Sequence, residues 1–295
     1  MAAIAEKVPV KVPPPAFSDI AKASNDLINK DFYHTAAAAL EVKLKAPNGV
    51  SFTAKGTSAH DGPVSSSLEG KKGLSNGISI TQSWNTANML ATKVELNDTF
   101  ATGLKAEVLS NFNPAAGNKG QKLNLHFKQS LFHGRVFGDL QPSGKVSAIA
   151  DLVMSHEGFM VGGEVGYDVQ KASITKYSGA LGYTTGTYNA AITATNSMQL
   201  FTASYYQKVN SAVEAGAKAS WDAKSGNTVG LELAGKYKID TSSFAKAKIN
   251  NLGIASLAYN TKVNSGLTFG IGGSFDTQKL NESGHKLGTS FTFEG

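Results

Sequence analysis

From about residue 38 to the end of the chain, apolar and polar side chains alternate with a period of two, and this pattern constrains the fold more than any other feature. In Leu40-Glu41-Val42-Lys43-Leu44-Lys45 one face is aliphatic and the other fully charged. Val50, Phe52 and Ala54 alternate with Ser51, Thr53 and Lys55, and Leu123, Leu125 and Phe127 with Lys122, Asn124, His126 and Lys128. Val213, Ala215, Ala217, Ala219 and Trp221 oppose Glu214, Lys218, Ser220 and Asp222, and Leu267, Phe269 and Ile271 oppose Thr268. Successive side chains leave a pleated strand on opposite sides, so each run reads as a strand with one apolar and one polar face.

Turn chemistry separates the runs: Pro47-Asn48-Gly49, Ser75-Asn76-Gly77, Pro142-Ser143-Gly144, Ser225-Gly226-Asn227 and Asn264-Ser265-Gly266 suit tight hairpins. The spacing gives roughly 18–20 strands with no second helical pattern between them. The connections are therefore antiparallel hairpins, and residues 33–295 form one β domain.

Three all-β architectures compete. A sandwich turns its apolar faces into a dry core of varied, interlocking side chains. A propeller needs a motif recurring in every blade, and none recurs here. A membrane barrel turns the apolar face to lipid and the polar face to water. So many consecutive hairpin strands make a sheet too wide to stay open, and closure alone removes its edges. Most runs also approach the length a tilted strand needs to cross a bilayer. The apolar faces are rich in Ala, Gly, Leu and Val, as a lipid-facing surface can be. The expected fold is an all-β transmembrane antiparallel barrel of about nineteen strands, preceded by a short N-terminal helix.

Composition excludes several classes; taken alone it would suggest a soluble cytosolic protein, and the periodicity says otherwise. The 295 residues contain no cysteine, so disulfides and thiolate metal sites are excluded. The net charge of +6 comes from lysines spread along the whole chain, whereas a nucleic-acid binder concentrates them on one face. No run approaches the roughly 18 apolar residues of a membrane helix, and residues 1–15 carry no apolar signal segment.

Residues 1–15 carry Pro9, Pro13, Pro14 and Pro15 and read as an extended tail. Residues 16–32 read as the helix, about three turns long, with Ser18 and Asp19 at its start and Ile20, Ser24, Leu27 and Ile28 on one stripe. It is too short to cross a bilayer.

Several local patterns point to one family. Phe17-Ser18-Asp19-Ile20 with Asn25-Asp26-Leu27-Ile28 and Lys30-Asp31-Phe32 opens the chain, and Gln82-Ser83-Trp84-Asn85-Thr86 follows. Then come Gly103-Leu104-Lys105, Met154-Ser155-His156-Glu157-Gly158, Ala247-Lys248-Ile249-Asn250-Asn251 and the closing Gly284-His285-Lys286-Leu287-Gly288 with Phe291 and Phe293. In this order and spacing they resemble the mitochondrial outer-membrane porins, the voltage-dependent anion channels, of fungal type. Gln82 stands where many animal members carry a glutamate, and Asn25 where animal helices often carry a basic residue, so roles tied to those side chains do not transfer.

The resemblance implies that the helix folds into the lumen, with Phe17, Asp19, Ile20, Asp26, Leu27 and Ile28 as the gating element and Lys22 and Lys30 facing permeating phosphates. By alternation, Lys43, Lys45, Lys55, Lys105, Lys122, Lys218, Lys236, Lys246 and Lys248 fall on the polar wall. The expected function is a voltage-gated, weakly anion-selective diffusion pore of the mitochondrial outer membrane, passing ATP, ADP, phosphate and other small solutes. Membrane lipids, the permeating nucleotides and anions, a second copy of the chain, and the import and assembly machinery are its expected partners; nucleic acid is not. A protein-translocating barrel of the import machinery is the alternative, although such a wall would need acidic tracks.

Enzymatic chemistry finds no support. His156-Glu157 lacks the second histidine of a zinc helix, and Gly270, Gly272 and Gly273 sit within an alternating strand, where they read as backbone kinks. No catalytic residue, metal site or cofactor is expected.

Overall fold

The computed structural model describes residues 13–115, 117–225 and 229–295, apart from the side chains of residues 118 and 119. Most of the proline-bearing tail, residues 1–12, and part of the Ser225-Gly226-Asn227 turn lie outside the described residues.

Nineteen strands follow one another in chain order. They are β1 (Ala38–Lys45), β2 (Val50–Ser58), β3 (Val64–Gly73), β4 (Ile78–Asn85), β5 (Leu90–Asn97) and β6 (Leu104–Asn113). Next come β7 (Asn118–Lys128), β8 (Phe132–Leu140), β9 (Val146–His156), β10 (Phe159–Asp168), β11 (Ser173–Thr184) and β12 (Tyr188–Thr195). The last are β13 (Leu200–Lys208), β14 (Val213–Asp222), β15 (Gly230–Lys238), β16 (Ser243–Asn250), β17 (Ile254–Asn264), β18 (Leu267–Asp276) and β19 (Lys286–Glu294).

Each strand pairs antiparallel with the next, and β1 closes the sheet by pairing parallel with β19, Leu40 opposite Phe291 and Val42 opposite Phe293. An odd strand number requires this, because alternating up and down leaves the first and last strands pointing the same way. The hairpins follow from local chemistry. Between β3 and β4, Asn76 and Gly77 both take positive φ (63° and 76°), and Leu74 N–H donates to the Ile78 carbonyl at 2.7 Å. That is the backbone an Asn-Gly pair adopts most cheaply, and it matches the twist of the flanking strands.

Register settles which way the faces point. Around the barrel, Leu68, Ile80, Val94, Val108, Leu123, Val136, Leu152, Val161, Leu181, Ile192, Leu233, Leu257 and Phe291 share the outer face. Leu181 and Ile192, paired across β11 and β12, are 59% and 58% exposed, so these apolar side chains do not form a dry interior. Among the strand residues whose side chains are described, Lys72 is the one charged residue on the outer face, and it lies one position from the end of β3. This distribution suits hydrocarbon outside and water inside. No helix of the described residues is long and apolar enough to cross a membrane; the strands make the crossing.

The buried apolar core lies instead where the N-terminal segment meets the wall. The expected continuous helix over residues 16–32 is divided into a 3-10 turn at Phe17–Asp19, the helix α1 at Lys22–Asn29, and a second 3-10 turn at Tyr33–Thr35. Ser18 and Asp19 therefore do not cap α1, which starts after Ala21 with no side-chain cap. A two-turn helix carrying Ser24, Asn25 and Asp26 is marginal by itself, so contacts with the wall decide where it starts and stops.

Candidate permeation pathway

The N-terminal segment lies across the inner wall from β9 to β19. Phe17 and Ile20 pack with Val153, Met160, Ala180 and Ala191 on β9 to β12. Leu27 and Ile28 pack against Ala234 on β15, with Tyr206 of β13 beside them. Ile20 and Ile28 are 1% and 0% exposed, so the apolar stripe of the segment faces the wall. Its opposite face carries Asp19, Lys22, Asp26 and Lys30 into the lumen.

Polar contacts from Lys246, Asn260 and His60, with Arg135 Nη2 donating to Ser18 Oγ at 3.4 Å, help fix this arrangement. Lys246 of β16 is buried, and its Nζ donates to the backbone carbonyls of Asp26 (3.2 Å) and Lys30 (2.8 Å). The ammonium adds a second donor to the Asp26 carbonyl, which already accepts the Lys30 N–H, bonds the Lys30 carbonyl just past the helix end, and complements the negative end of the helix dipole. Asn260 Nδ2 donates to the Tyr33 hydroxyl. His60 Nε2 lies 2.9 Å from the His34 carbonyl. Burial, with Asp31 adding to it, pushes the Tyr33 phenol up to about 12.

The wall divides into two electrostatic regions. On β3 to β11, most charges meet opposite charges. Glu95 receives Lys105 at 2.8 Å, Lys71 at 2.9 Å and Lys93 at 3.3 Å, and Lys105 also reaches Glu107 at 2.6 Å. Arg135 grips Asp151 with both Nε and an Nη, the closest contact being 2.7 Å. Lys122 pairs with Asp139 at 3.2 Å and Lys176 with Glu164 at 3.0 Å.

On β14 to β16 the balance is positive. Lys218, Lys236, Lys246 and Lys248 stand on the inner face with Glu214 and Glu232, and among the described residues none of these lysines forms an ion pair within 4.0 Å. Lys236 lies over the Phe244 ring (4.4 Å) and Lys248 over Phe32 (4.7 Å). A groove of about 320 Å³ opens between α1 and this wall, lined by Asp26, Lys30, Tyr206, Glu214, Lys236 and Lys246.

The sequence-derived cations thus have different surroundings. Lys105, Lys122, Lys218, Lys236, Lys246 and Lys248 all fall on the inner face. Lys105 and Lys122 are engaged by carboxylates, and Lys246 holds the helix. Lys22 and Lys30 are more than half exposed, and both approach Asp26, at 3.9 and 2.8 Å. Lys218, Lys236 and Lys248 keep charge available to the lumen. Sequence reasoning missed Tyr33, Asn260 and the Glu95 and Arg135–Asp151 clusters. Register puts Glu95, Arg135 and Asp151 on the inner face, and their partners depend on which residues stand opposite across the strands.

Such an assembly, lipid-facing outside, charged inside and crossed by a helix lying on its wall, defines a transmembrane β-barrel channel. The family model for eukaryotic porins matches residues 13–288, and the chain belongs to that family. It is 58% identical over 281 residues to the mitochondrial outer membrane protein porin of Neurospora crassa, covering 95% of this chain and 99% of that protein. It is 39% identical to the non-selective voltage-gated ion channel 1 of Saccharomyces cerevisiae, with the same two shares covered. To the non-selective voltage-gated ion channel VDAC2 of Meleagris gallopavo it is 31% identical, over 100% of this chain and 98% of the other. These matches give no support to a protein-translocating barrel.

Proposed function

We propose that this protein is a voltage-gated, weakly anion-selective diffusion pore of the mitochondrial outer membrane, passing small ions and metabolites such as ATP, ADP and phosphate. The observation that carries the reading is a closed barrel with lipid-compatible side chains outside and lysine-bearing strands inside. Barrels of more than about sixteen strands are wide enough to leave an aqueous channel. The names of the relatives from Neurospora and Saccharomyces support the membrane and the voltage response.

Selectivity follows from the uneven wall. Paired charges on β3 to β11 largely cancel at a distance, whereas Lys218, Lys236 and Lys248 raise the local concentration of anions along one side. Neither region offers a tight cage, so solutes enter and leave freely. Lys22, Lys30 and the wall lysines also couple conformation to voltage, at about 2.3 kcal/mol per charge carried through 100 mV. Lipids contact the outer face. A second copy of the chain, and the import and assembly machinery during biogenesis, complete the proposed partners.

Reconstitution in a planar bilayer under a salt gradient tests the reading. The reversal potential is expected to show a modest preference for chloride over potassium, with conductance falling at high voltage of either sign. A cation preference, or no conductance from correctly inserted protein, would overturn it.

A further inference from the structure

We infer that inner-face glycines form a footprint that fixes where the N-terminal segment rests on the wall, so that Gly162, Gly182, Gly216, Gly270, Gly272 and Gly288 act as positioning residues for the gating element. All six lie on the inner face by register. They occur on β10, β11, β14, β18 and β19, strands that the segment touches.

The space each glycine leaves is already filled. A Cβ at Gly162 would lie 3.0 Å from Ile20 Cδ1, Phe17 Cδ2 and the wall's Val153 Cγ2, and one at Gly182 would lie 2.8 Å from Ile20 Cγ2 and 2.9 Å from the flexible tip of the wall's Met160. At Gly216 it would meet Leu27 Cδ2 at 2.9 Å. At Gly270 it would enter the Tyr33 ring, and at Gly288 it would collide with the carbonyl oxygens of Tyr33 and Ala36. At Gly272 it would come within 3.0 Å of the Tyr33 backbone nitrogen. Gly163 and Gly235, on the outer face, differ: there an added Cβ would meet its nearest neighbour at an ordinary 3.8 Å.

Gly270 and Gly272 therefore do not serve as kinks within β18, which keeps its register with β17 and β19 at both positions. Their missing side chains admit the Tyr33 turn. The footprint has two parts, one under Phe17 to Leu27 and one under Tyr33 to Ala36. Between them Asp31 takes a positive φ of 57°, which places the backbone bend where the wall makes no such close approach. The docked position is set by shape as well as by the Lys246 contact, so the segment cannot slide along the wall without striking a Cβ.

The inference rests on the pore reading for its functional consequence, but the docking can be measured without any current. The protein is placed in liposomes, and tryptic cleavage after Lys22 and Lys30 is followed alongside bilayer recordings. Overpacking of this kind is expected to make cleavage about tenfold faster in Gly270→Ala, with altered voltage dependence. Adding the same substitution to Tyr33→Ala should change almost nothing, because the group it strikes is gone. Gly182→Ala with Ile20→Ala supplies a second cycle if the first variant folds poorly, and Gly235→Ala is the outer-face control.

Native cleavage rates and gating in both Gly270→Ala and Gly182→Ala would overturn the inference. Equal effects with and without Tyr33, or with and without Ile20, would also overturn it, since the substitution would then act through the barrel. Absence of current in the unmodified protein would count against the pore reading alone.

Discussion

Replacing Lys246 separates anchoring of the helix from attraction of anions, two roles that a lysine on the wall could play. Its ammonium makes two hydrogen bonds to backbone carbonyls while almost wholly buried. Hydrogen bonds from charged groups contribute about 1.5–3 kcal/mol each, and the desolvation of the ammonium offsets a large part of that. A net docking loss of about 1–3 kcal/mol remains for Lys246→Met, which preserves the aliphatic length beside Phe32. The ratio of docked to undocked helix should then fall roughly 5- to 150-fold. In single-channel recordings the midpoint voltage for closure should move, while the reversal potential under a salt gradient stays near the unmodified value. Lys248→Met should do the opposite, reducing anion preference and leaving the closure midpoint in place. If Lys246→Met gated normally and lost selectivity instead, the anchoring argument would fail.

Removing residues 1–32 should alter gating more than open conductance, which a comparison of voltage ramps with small-signal conductance would reveal; unchanged voltage dependence would contradict it. Anion preference should weaken as salt rises from 0.1 to 1 M, because the screening length falls from about 10 Å to about 3 Å. An outward charge, Ile192→Arg, should destabilise the folded barrel by about 2–4 kcal/mol in denaturant titrations in lipid, whereas the inward Thr193→Arg should shift selectivity at little cost in stability. Burial raises the Tyr33 phenol above its ordinary value of 10.0, so the folded state holds its proton longer than the unfolded state. The stability tied to that proton is complete below pH 10 and is lost as pH rises toward about 12. Tyr33→Phe should remove this part of the alkaline release of the segment, read by tryptic cleavage after brief alkaline exposure.

The barrel was legible because its signal is local and repeated. Each strand states its own two faces, as in Leu40 to Lys45, and each Asn-Gly or Pro-Ser-Gly turn states where it reverses. Closure was legible only indirectly: nothing in Ala38–Lys45 or Lys286–Glu294 announces that these two strands pair in parallel. The N-terminal stripe of Ile20, Leu27 and Ile28 was readable, but the division of the helix was not. The end of α1 meets Lys246, some 216 residues beyond Lys30, a partner no local pattern announces. Parity alone puts the wall lysines on one shared face, since register cannot slip by one without turning every side chain over. Their individual surroundings were not legible, because whether Lys105 meets Glu95, or Lys248 meets a ring, depends on neighbours across several strands. Gly270 and Gly272 show the same limit. In sequence they look like interruptions of a strand, and only the packed Tyr33 turn explains them.

The orientation of the two faces is tested most directly by cysteine substitution along β16, where the unmodified chain offers no competing thiol. Phe244→Cys, Lys248→Cys and Asn250→Cys should react with a charged, water-soluble thiol reagent in the membrane-inserted protein and reduce the current. Ala245→Cys, Ala247→Cys and Ile249→Cys should resist it and react only with a lipid-soluble reagent. The opposite alternation, or equal reactivity at every position, would contradict an aqueous lumen lined by the lysine-bearing face.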